Sequence, residues 1–511
     1  MVDSATATGI DWLDGIVVVV YICLVLGIGW YYGRQQRNSD EYFVGNRGMN
    51  STLVGISMYA TLFSTITYLS TPGEYLGKGP AILCSLFSIP IAYFLVGYWI
   101  VPVYMKHRVT SAYELLEVRL GLKVRLLAAA LFIFIRLGWM SLLIYLPSTA
   151  ILEMLAWDEE WLPAVVLATG GVAMVYASIG GLRAVVITDL FQFLLLFGGA
   201  VLVICAVTID VGGFGWFPTS WQPHWNPQPF FSVDPNVRVT VFGSVLGGIL
   251  WWLCTAGSDQ TAIQRFMSTG SAAAARRSFL INSTAGASVT LILALVGFSL
   301  LGFYQTHPEF LPEGKSISEA ADRLFPRYLA HYLPGGTAGL VLAALFAAAM
   351  SSIDSGVNSI SAVTLTDFVD RFRDTPLTEY QRMRVARSLA FGIGLVVVGL
   401  SSFVIKHVPG NFVELANRVS NLLISPLFLM FFMALFVPFA TSTGAIAAMI
   451  SSSATAIVIA YWEPLVAELG VKPIFFKEFS FQWIQPCALV TGVVVGCGVS
   501  LLERAAKRQN H

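Results

Sequence analysis

The chain has 511 residues, 56% hydrophobic and only 12% charged, with a mean hydropathy of +0.72. Soluble domains carry about a quarter charged residues, so this composition is built for lipid. Thirty basic against thirty acidic residues leave no net charge, which argues against a nucleic-acid partner and against a basic membrane-surface protein. The six cysteines, from Cys23 to Cys497, are scattered through apolar runs without metal or redox spacing and read as reduced core residues. Neither GxxxxGKS nor GxxxxGKT occurs, which argues against an ATP-driven pump.

Apolar runs of about 20 residues span a bilayer. Thirteen such runs lie near 12–32, 52–77, 80–104, 124–155, 161–179, 184–209, 238–263, 277–304, 336–366, 387–406, 412–436, 442–462 and 484–503. The first follows an acidic segment and has no small-residue cleavage site, so it reads as a true span rather than a signal peptide. With the loop after it placed in the cytoplasm, the inner segments collect most of the basic residues, among them Arg34, Arg119, Arg265, Arg276 and Arg508. That bias sets the amino terminus outside and the carboxyl terminus in the cytoplasm, as for a plasma or bacterial inner membrane protein. The expected fold is all-α and integral to the membrane, one transporter domain over 1–511. Of the outer loops, 210–237 carries Trp216, Trp221 and Trp225 and reads as an interfacial lid. The loop 305–335 is expected to hold a short amphipathic helix around 318–329, and the cytoplasmic run 367–387 to be a solvated charged linker.

Several spans contain residues that lipid depth disfavours. The second, STLVGISMYATLFSTITYLSTPGEYLG, combines glycines, Pro72 and a run of hydroxyls including Ser64, Thr65 and Thr67. It is either a kinked helix whose serines bond to their own turn or a broken helix whose backbone meets an ion and a solute. Arg136 in the fourth span either snorkels or pairs with an acid. Asp189 opens the sixth span, as a dipole-favoured helix N-terminal carboxylate or as a buried site residue. The seventh span is interrupted by Thr255, Gly257, Ser258, Asp259 and Gln260. Its counterpart is the second: each opens a five-span block, 52–209 and 238–436, and the odd separation gives the two blocks opposite orientation. Paired interruptions of this kind mark inverted-repeat transporters. The span 12–32 precedes the blocks and 442–503 follows them.

The ninth span is the most polar, placing Ser351, Ser352, Asp354, Ser355, Asn358 and Ser359 within AAAMSSIDSGVNS. Serines glue membrane helices together, but a carboxylate among them points to an ion. Hydroxyl and carboxylate oxygens suit a hard cation such as sodium.

The segments DEYFVGNRGM (40–49), ATLFSTITYLSTP (60–72), VTSAYELLEVRLG (109–121), YASIGGLRAVVITDLFQ (176–192), DQTAIQR (259–265) and AAAMSSIDSGVNS (347–359) together resemble the sodium:solute symporter family. This family contains sodium–glucose, sialic acid, proline, iodide and monocarboxylate carriers. The resemblance implies a leucine-transporter-like core of two inverted five-helix repeats working by alternating access. It places a main sodium site on the carbonyls of Ala60, Phe63 and Ala348 and the hydroxyls of Ser351 and Ser352. A second sodium site, described in sialic acid carriers, maps to Asp189, Ser351, Asp354 and Ser355. The chain departs from those relatives in carrying Asp354 where they have serine, which leaves open stronger sodium binding or proton coupling. Solute contacts in the family come from the two broken spans, here Ser64, Thr65, Thr67 and Gln260. Trp139 stands where sialic acid carriers use an arginine, with Arg136 one turn earlier, and LLIYLPSTAIL (142–152) is closer to the anion and monocarboxylate branch.

The function expected is sodium-driven uptake of a small organic solute, a monocarboxylate, sugar or similar, with no nucleic acid and no obligatory protein partner. Proton coupling is the main alternative. A non-transporting solute sensor and a membrane enzyme are more remote, since neither a signalling domain nor a catalytic constellation stands out.

Overall fold

The computed structural model describes residues 12–107, 109–155, 157–225, 231–333, 337–403, 412–462 and 480–509. Among these the regular structure is all helix, without strands. Helix α1 is Trp12–Gln35, followed by α2 (Ser51–Leu62), α3 (Thr65–Lys78) and α4 (Pro80–His107). A short helix α5 (Glu114–Leu120) leads into α6 (Leu122–Leu155) and α7 (Leu162–Asp210). Then come α8 (Val241–Ser258), α9 (Gln260–Met267), α10 (Ala272–Thr306), α11 (Ile317–His331) and α12 (Ala338–Val363). The series ends with α13 (Glu379–Phe403), α14 (Phe412–Phe436), α15 (Ser442–Ala460) and α16 (Ile484–Gln509).

Among the described residues ten helices are long and apolar enough to cross a membrane, or eleven with the bent pair α2–α3. The expected count of thirteen differs at two places: the run 412–436 enters only as the shorter apolar helix Ile424–Phe436, and two other runs are joined. The runs at 161–179 and 184–209 form one 49-residue stretch, α7, that turns at Gly181. Gly181 has φ 58°, and a Cβ there would lie 2.7 Å from the carbonyl of Tyr42. Only glycine meets both demands, which gives the GGLRA segment a structural reason.

The polar ninth span is the axis of the molecule. Over its best apolar window the helix around α12 is 94% buried, against 22–56% for the other crossing helices. A helix enclosed on all sides can carry polar groups only if neighbours satisfy them. Helix α1 supplies one such contact: the buried Asp14 accepts from the amide of Gly339 at 2.6 Å, capping the first turn of α12.

At its other end α12 runs into a wider π-type turn, Thr364–Val369, so the expected solvated linker is corrected at its start only; residues 371–376 are exposed as expected. Asp367 is fully buried, accepts from Ser111 Oγ at 2.5 Å and Arg125 Nε at 2.7 Å, and so fastens α12 to α6. Arg125 also reaches Glu117 at 2.7 Å, and Arg371 Nη2 reaches the same carboxylate at 2.8 Å. The hydrogen bond from Arg371, with Arg125 beside it, holds the Glu117 carboxyl below its ordinary range. Removing one partner of a buried pair costs about 3–5 kcal/mol because the other charge stays desolvated. Arg125→Ala is therefore expected to lower the melting temperature of the purified protein markedly, and Asp367→Asn added to it to recover part of the loss. Equal melting of Arg125→Ala and the unchanged protein would contradict this.

The loops expected on the outer side are docked onto the protein. Trp216 and Trp225 are buried, and Trp225 Nε1 donates to the carbonyl of Leu76 at 3.0 Å. Only Trp221 of the three is exposed, so the expected membrane-lying lid is corrected to a loop seated on the end of α3. The amphipathic helix expected near 318–329 is α11, opened by a reciprocal capping box between Ser316 and Glu319. It packs against α3, where Gly73 and Gly77 leave room for Ala321.

Candidate functional site

Two helix breaks define the site. Between α2 and α3, Phe63 (φ −83°, ψ 118°) and Ser64 (φ −98°, ψ 156°) are extended, and the axis bends by 70°. Ser64 N-caps α3, accepting from the amide of Thr67 at 3.2 Å. Between α8 and α9, Asp259 alone is extended; it ends one helix and caps the next through the amide of Thr261 at 2.7 Å. Each break leaves carbonyls of the preceding turn without helical partners.

The α2–α3 break meets α12. Ser351 Oγ donates to the carbonyls of Ala60 at 3.0 Å and Ala348 at 3.1 Å. Ser352 Oγ donates to the carbonyl of Thr61 at 3.1 Å. Ala60, Ala348, Ser351 and Ser352 are thus brought together in a buried cluster of neutral oxygens, the donor set a hard monovalent cation takes. Phe63 sits in the break itself, its ring stacked on Tyr59 with centroids 5.2 Å apart. Thr61 joins the cluster although nothing in its residue type announced it.

One turn further along α12 lies a cluster of charge. Asp354 accepts from Tyr176 and, at 3.1 Å, from Ser355 Oγ. Asp189 accepts from Ser57 Oγ at 2.5 Å and is ion-paired with Arg265 Nη2 at 3.3 Å, while its Oδ1 has no partner among the described residues. Arg265 also donates to Ser57 at 3.0 Å, to Ser355 at 2.5 Å and to Thr61. The placement of Arg265 in a cytoplasmic segment is therefore corrected: it is fully buried, paired with Asp189 and bonded to Ser355, the chain neighbour of Asp354. Asp189 and Asp354, if both are ionised, outnumber the one guanidinium by a single negative charge. Ser57, Tyr176 and Arg265 complete the constellation of Asp189, Ser351, Asp354 and Ser355; Ser57 belongs to the hydroxyl-rich second span and Tyr176 opens the segment 176–192, but neither residue type announced its carboxylate partner.

Beside the α2–α3 break is a cavity of about 400 Å³, walled by α2–α3, α4, α8, α10 and the segment entering α16. Phe63 and Thr67 line it, as do Trp251 and Trp252. Thr67 is exposed to it, Ser64 is tied to Thr67 at 2.9 Å, and buried Thr65 Oγ1 has no partner among the described residues. Gln260 is not part of this wall. Its amide donates to the carbonyl of Thr110 and accepts from the amide of Ala112, both at 2.8 Å, so it secures the 110–112 segment instead. Arg136 pairs with Asp259 at 3.6 Å and donates to Thr261 at 2.6 Å, so it pairs with an acid rather than snorkelling.

Broken helices set among crossing helices are an arrangement that membrane transporters use. A model of the sodium:solute symporter family matches residues 42–452, and the chain belongs to that family. It is 28% identical over 463 residues to a sodium/sialic acid symporter of Proteus mirabilis, covering 88% of this chain and 90% of that one. It is likewise 28% identical over 484 residues to sodium-coupled monocarboxylate transporter 1 of Xenopus laevis, covering 92% of this chain and 76% of that one. Among solved structures it resembles a substrate-bound, outward-open Na+-coupled sialic acid symporter with a TM-score of 0.80 at 25% identity, over 96% of this chain and 98% of that one.

Proposed function

We propose that the protein takes up a small organic solute, a monocarboxylate, sugar or similar, by alternating access driven by sodium. The observation that carries this reading is the meeting of Ser351 and Ser352 with the carbonyls freed at the α2–α3 break. Sodium would bind Ala60, Phe63, Ala348, Ser351 and Ser352, favour the outward-open state and let the solute bind in the adjacent cavity near Ser64, Thr65 and Thr67. Thirteen crossings, with inverted repeats over 52–209 and 238–436, an outer amino terminus and a cytoplasmic carboxyl terminus in the plasma membrane, complete the proposal. One sodium moving inward across 100 mV supplies about 2.3 kcal/mol, or about fifty-fold accumulation. The drive works only because sodium binds the two states differently.

The single excess negative charge at Asp189, Asp354 and Arg265 supports a second monovalent cation there, held by Asp189, Ser351, Asp354 and Ser355. Proton coupling is the second reading, favoured by the isolation of Asp354 between the two hydroxyls of Tyr176 and Ser355. Asp354→Asn is expected to lower the sodium Hill coefficient of uptake or abolish transport; an unaltered coefficient would make Asp354 a packing residue.

The test is uptake into proteoliposomes of labelled D-glucose, propionate, L-lactate, L-proline and sialic acid under an inward sodium gradient, an inward proton gradient, or neither. Accumulation of one solute only with sodium is expected. Accumulation with protons alone would transfer the coupling role to Asp354, and binding without accumulation under any gradient would overturn the transport reading.

A further inference from the structure

The last helix, α16, beyond the two repeats, reaches the cavity. Its entering turn and first residues, Phe481, Gln482 and Gln485, form part of the wall, as do Phe63 and Thr67 of the α2–α3 break. The two glutamines do different work. Gln482 is fully engaged: its Oε1 accepts from the amide of Thr240 at 3.1 Å and its Nε2 donates to Ser244 Oγ at 2.8 Å. A Cβ on Gly243 would stand 2.2 Å from that Oε1, so the absence of a side chain at 243 is what lets this clamp close on the start of α8. Gln485 lies nearly one turn further on, is 4% exposed, and its Nε2 has no hydrogen-bond partner among the described residues. A buried amide nitrogen left without an acceptor is costly and rare in native proteins. Because its two ends exchange by a half-turn, the group can offer either a donor or an acceptor to whatever fills the cavity.

The rest of the wall sets the kind of occupant. Among the described residues that line it there is no Asp, Glu, Lys, Arg or His. Arg136 and Arg265 are held by Asp259 and Asp189, away from this wall. The hydroxyls of Ser88 and Ser283 spend their protons on the carbonyls of Ser85 at 2.6 Å and Phe279 at 2.9 Å, which leaves their oxygens to accept. Trp251 and Trp252, in an edge-to-face pair 4.8 Å apart, supply an apolar flank. A carboxylate placed here would be desolvated without a cationic partner, whereas hydroxyls could donate to the serine oxygens and accept from Gln485.

Building on the transport reading, we propose that Gln485, on the last helix α16 outside the two repeats, is a specificity-determining residue, and that the solute face it meets is uncharged, with hydroxyl, carbonyl or amide groups beside an apolar body. The appended helix thereby belongs to the binding site and not to the packing alone.

The test uses full-length protein in proteoliposomes under a sodium gradient, with D-glucose, its 2-deoxy, 3-deoxy and 6-deoxy analogues, L-lactate and propionate as probes, and compares wild type with Gln485→Leu and Gln485→Glu. Gln485→Glu keeps the size and removes the donor, so it guards against a packing effect of leucine. For the best-accumulated hydroxylated probe both variants are expected to raise KM about tenfold, the worth of roughly one hydrogen bond. The sodium half-saturation should stay unchanged, and the analogue lacking the relevant hydroxyl should lose less. An unchanged KM for every probe, or an equal proportional rise for a probe and its deoxy analogue, would overturn the assignment of Gln485. Propionate as the only accumulated probe would overturn the uncharged face. Wild type that accumulates none of the probes in any gradient would instead overturn the transport reading on which this inference rests.

Discussion

Replacing Ser351 and Ser352 together by alanine should raise the sodium concentration for half-maximal uptake by about two orders of magnitude at normal expression. A hydrogen-bonding group facing a charge contributes about 1.5–3 kcal/mol, so losing two ligands removes at least about 3 kcal/mol. Each 1.4 kcal/mol is about a factor of ten in affinity. The change also removes the bridges from α12 to the carbonyls of Ala60 and Thr61, but those are neutral bonds of smaller worth. Fold and cavity should persist, and the solute KM at saturating sodium should move little. Unchanged sodium dependence in a well-expressed double variant would remove these serines from the ion site.

The second large effect concerns Arg265. Its guanidinium is fully buried and bonds Asp189, Ser57, Thr61 and Ser355 on three different helices. Arg265→Ala leaves Asp189 and Asp354 buried with no counter-charge, a loss of about 3–5 kcal/mol. The expected result is a sharp fall in folded protein on size-exclusion chromatography and no uptake. Arg265→Lys should not rescue, since one ammonium cannot reach the four partners of a planar fork. Adding Asp189→Asn to Arg265→Ala should restore folded protein without restoring uptake. Native-like melting and uptake of Arg265→Ala would show that the pair between Arg265 and Asp189 is dispensable.

What the sequence made legible follows from cost. Hydroxyls and a carboxylate inside apolar spans are expensive in lipid, so the runs at 57–67, 255–260 and 351–359 stood out, and the structure breaks or buries them accordingly. The amphipathic helix α11 was equally plain, because its capping residues are adjacent in the chain. Contacts between distant residues were not legible. Arg265 at the end of a span looks like a cytoplasmic anchor until Asp189, 76 residues away, is seen beside it. Asp367 passes for a linker residue because Arg125 lies 242 residues earlier. Gln260 shows the limit of position alone: it stands at a helix break, as expected, but its amide is already used by Thr110 and Ala112. Thr61 contributes a carbonyl, and a backbone atom leaves no trace in residue type.

The central claim is that sodium crosses with the solute by way of the junction of Ala60, Phe63 and Ala348 with Ser351 and Ser352. The most direct measurement is radiolabelled sodium influx into proteoliposomes, with and without the accumulated solute, for wild type and the Ser351→Ala, Ser352→Ala double variant. Solute-stimulated sodium influx in wild type, lost in the double variant at matched sodium, is the predicted result. Equal stimulated influx through both proteins would contradict it and move the ion path elsewhere in the fold.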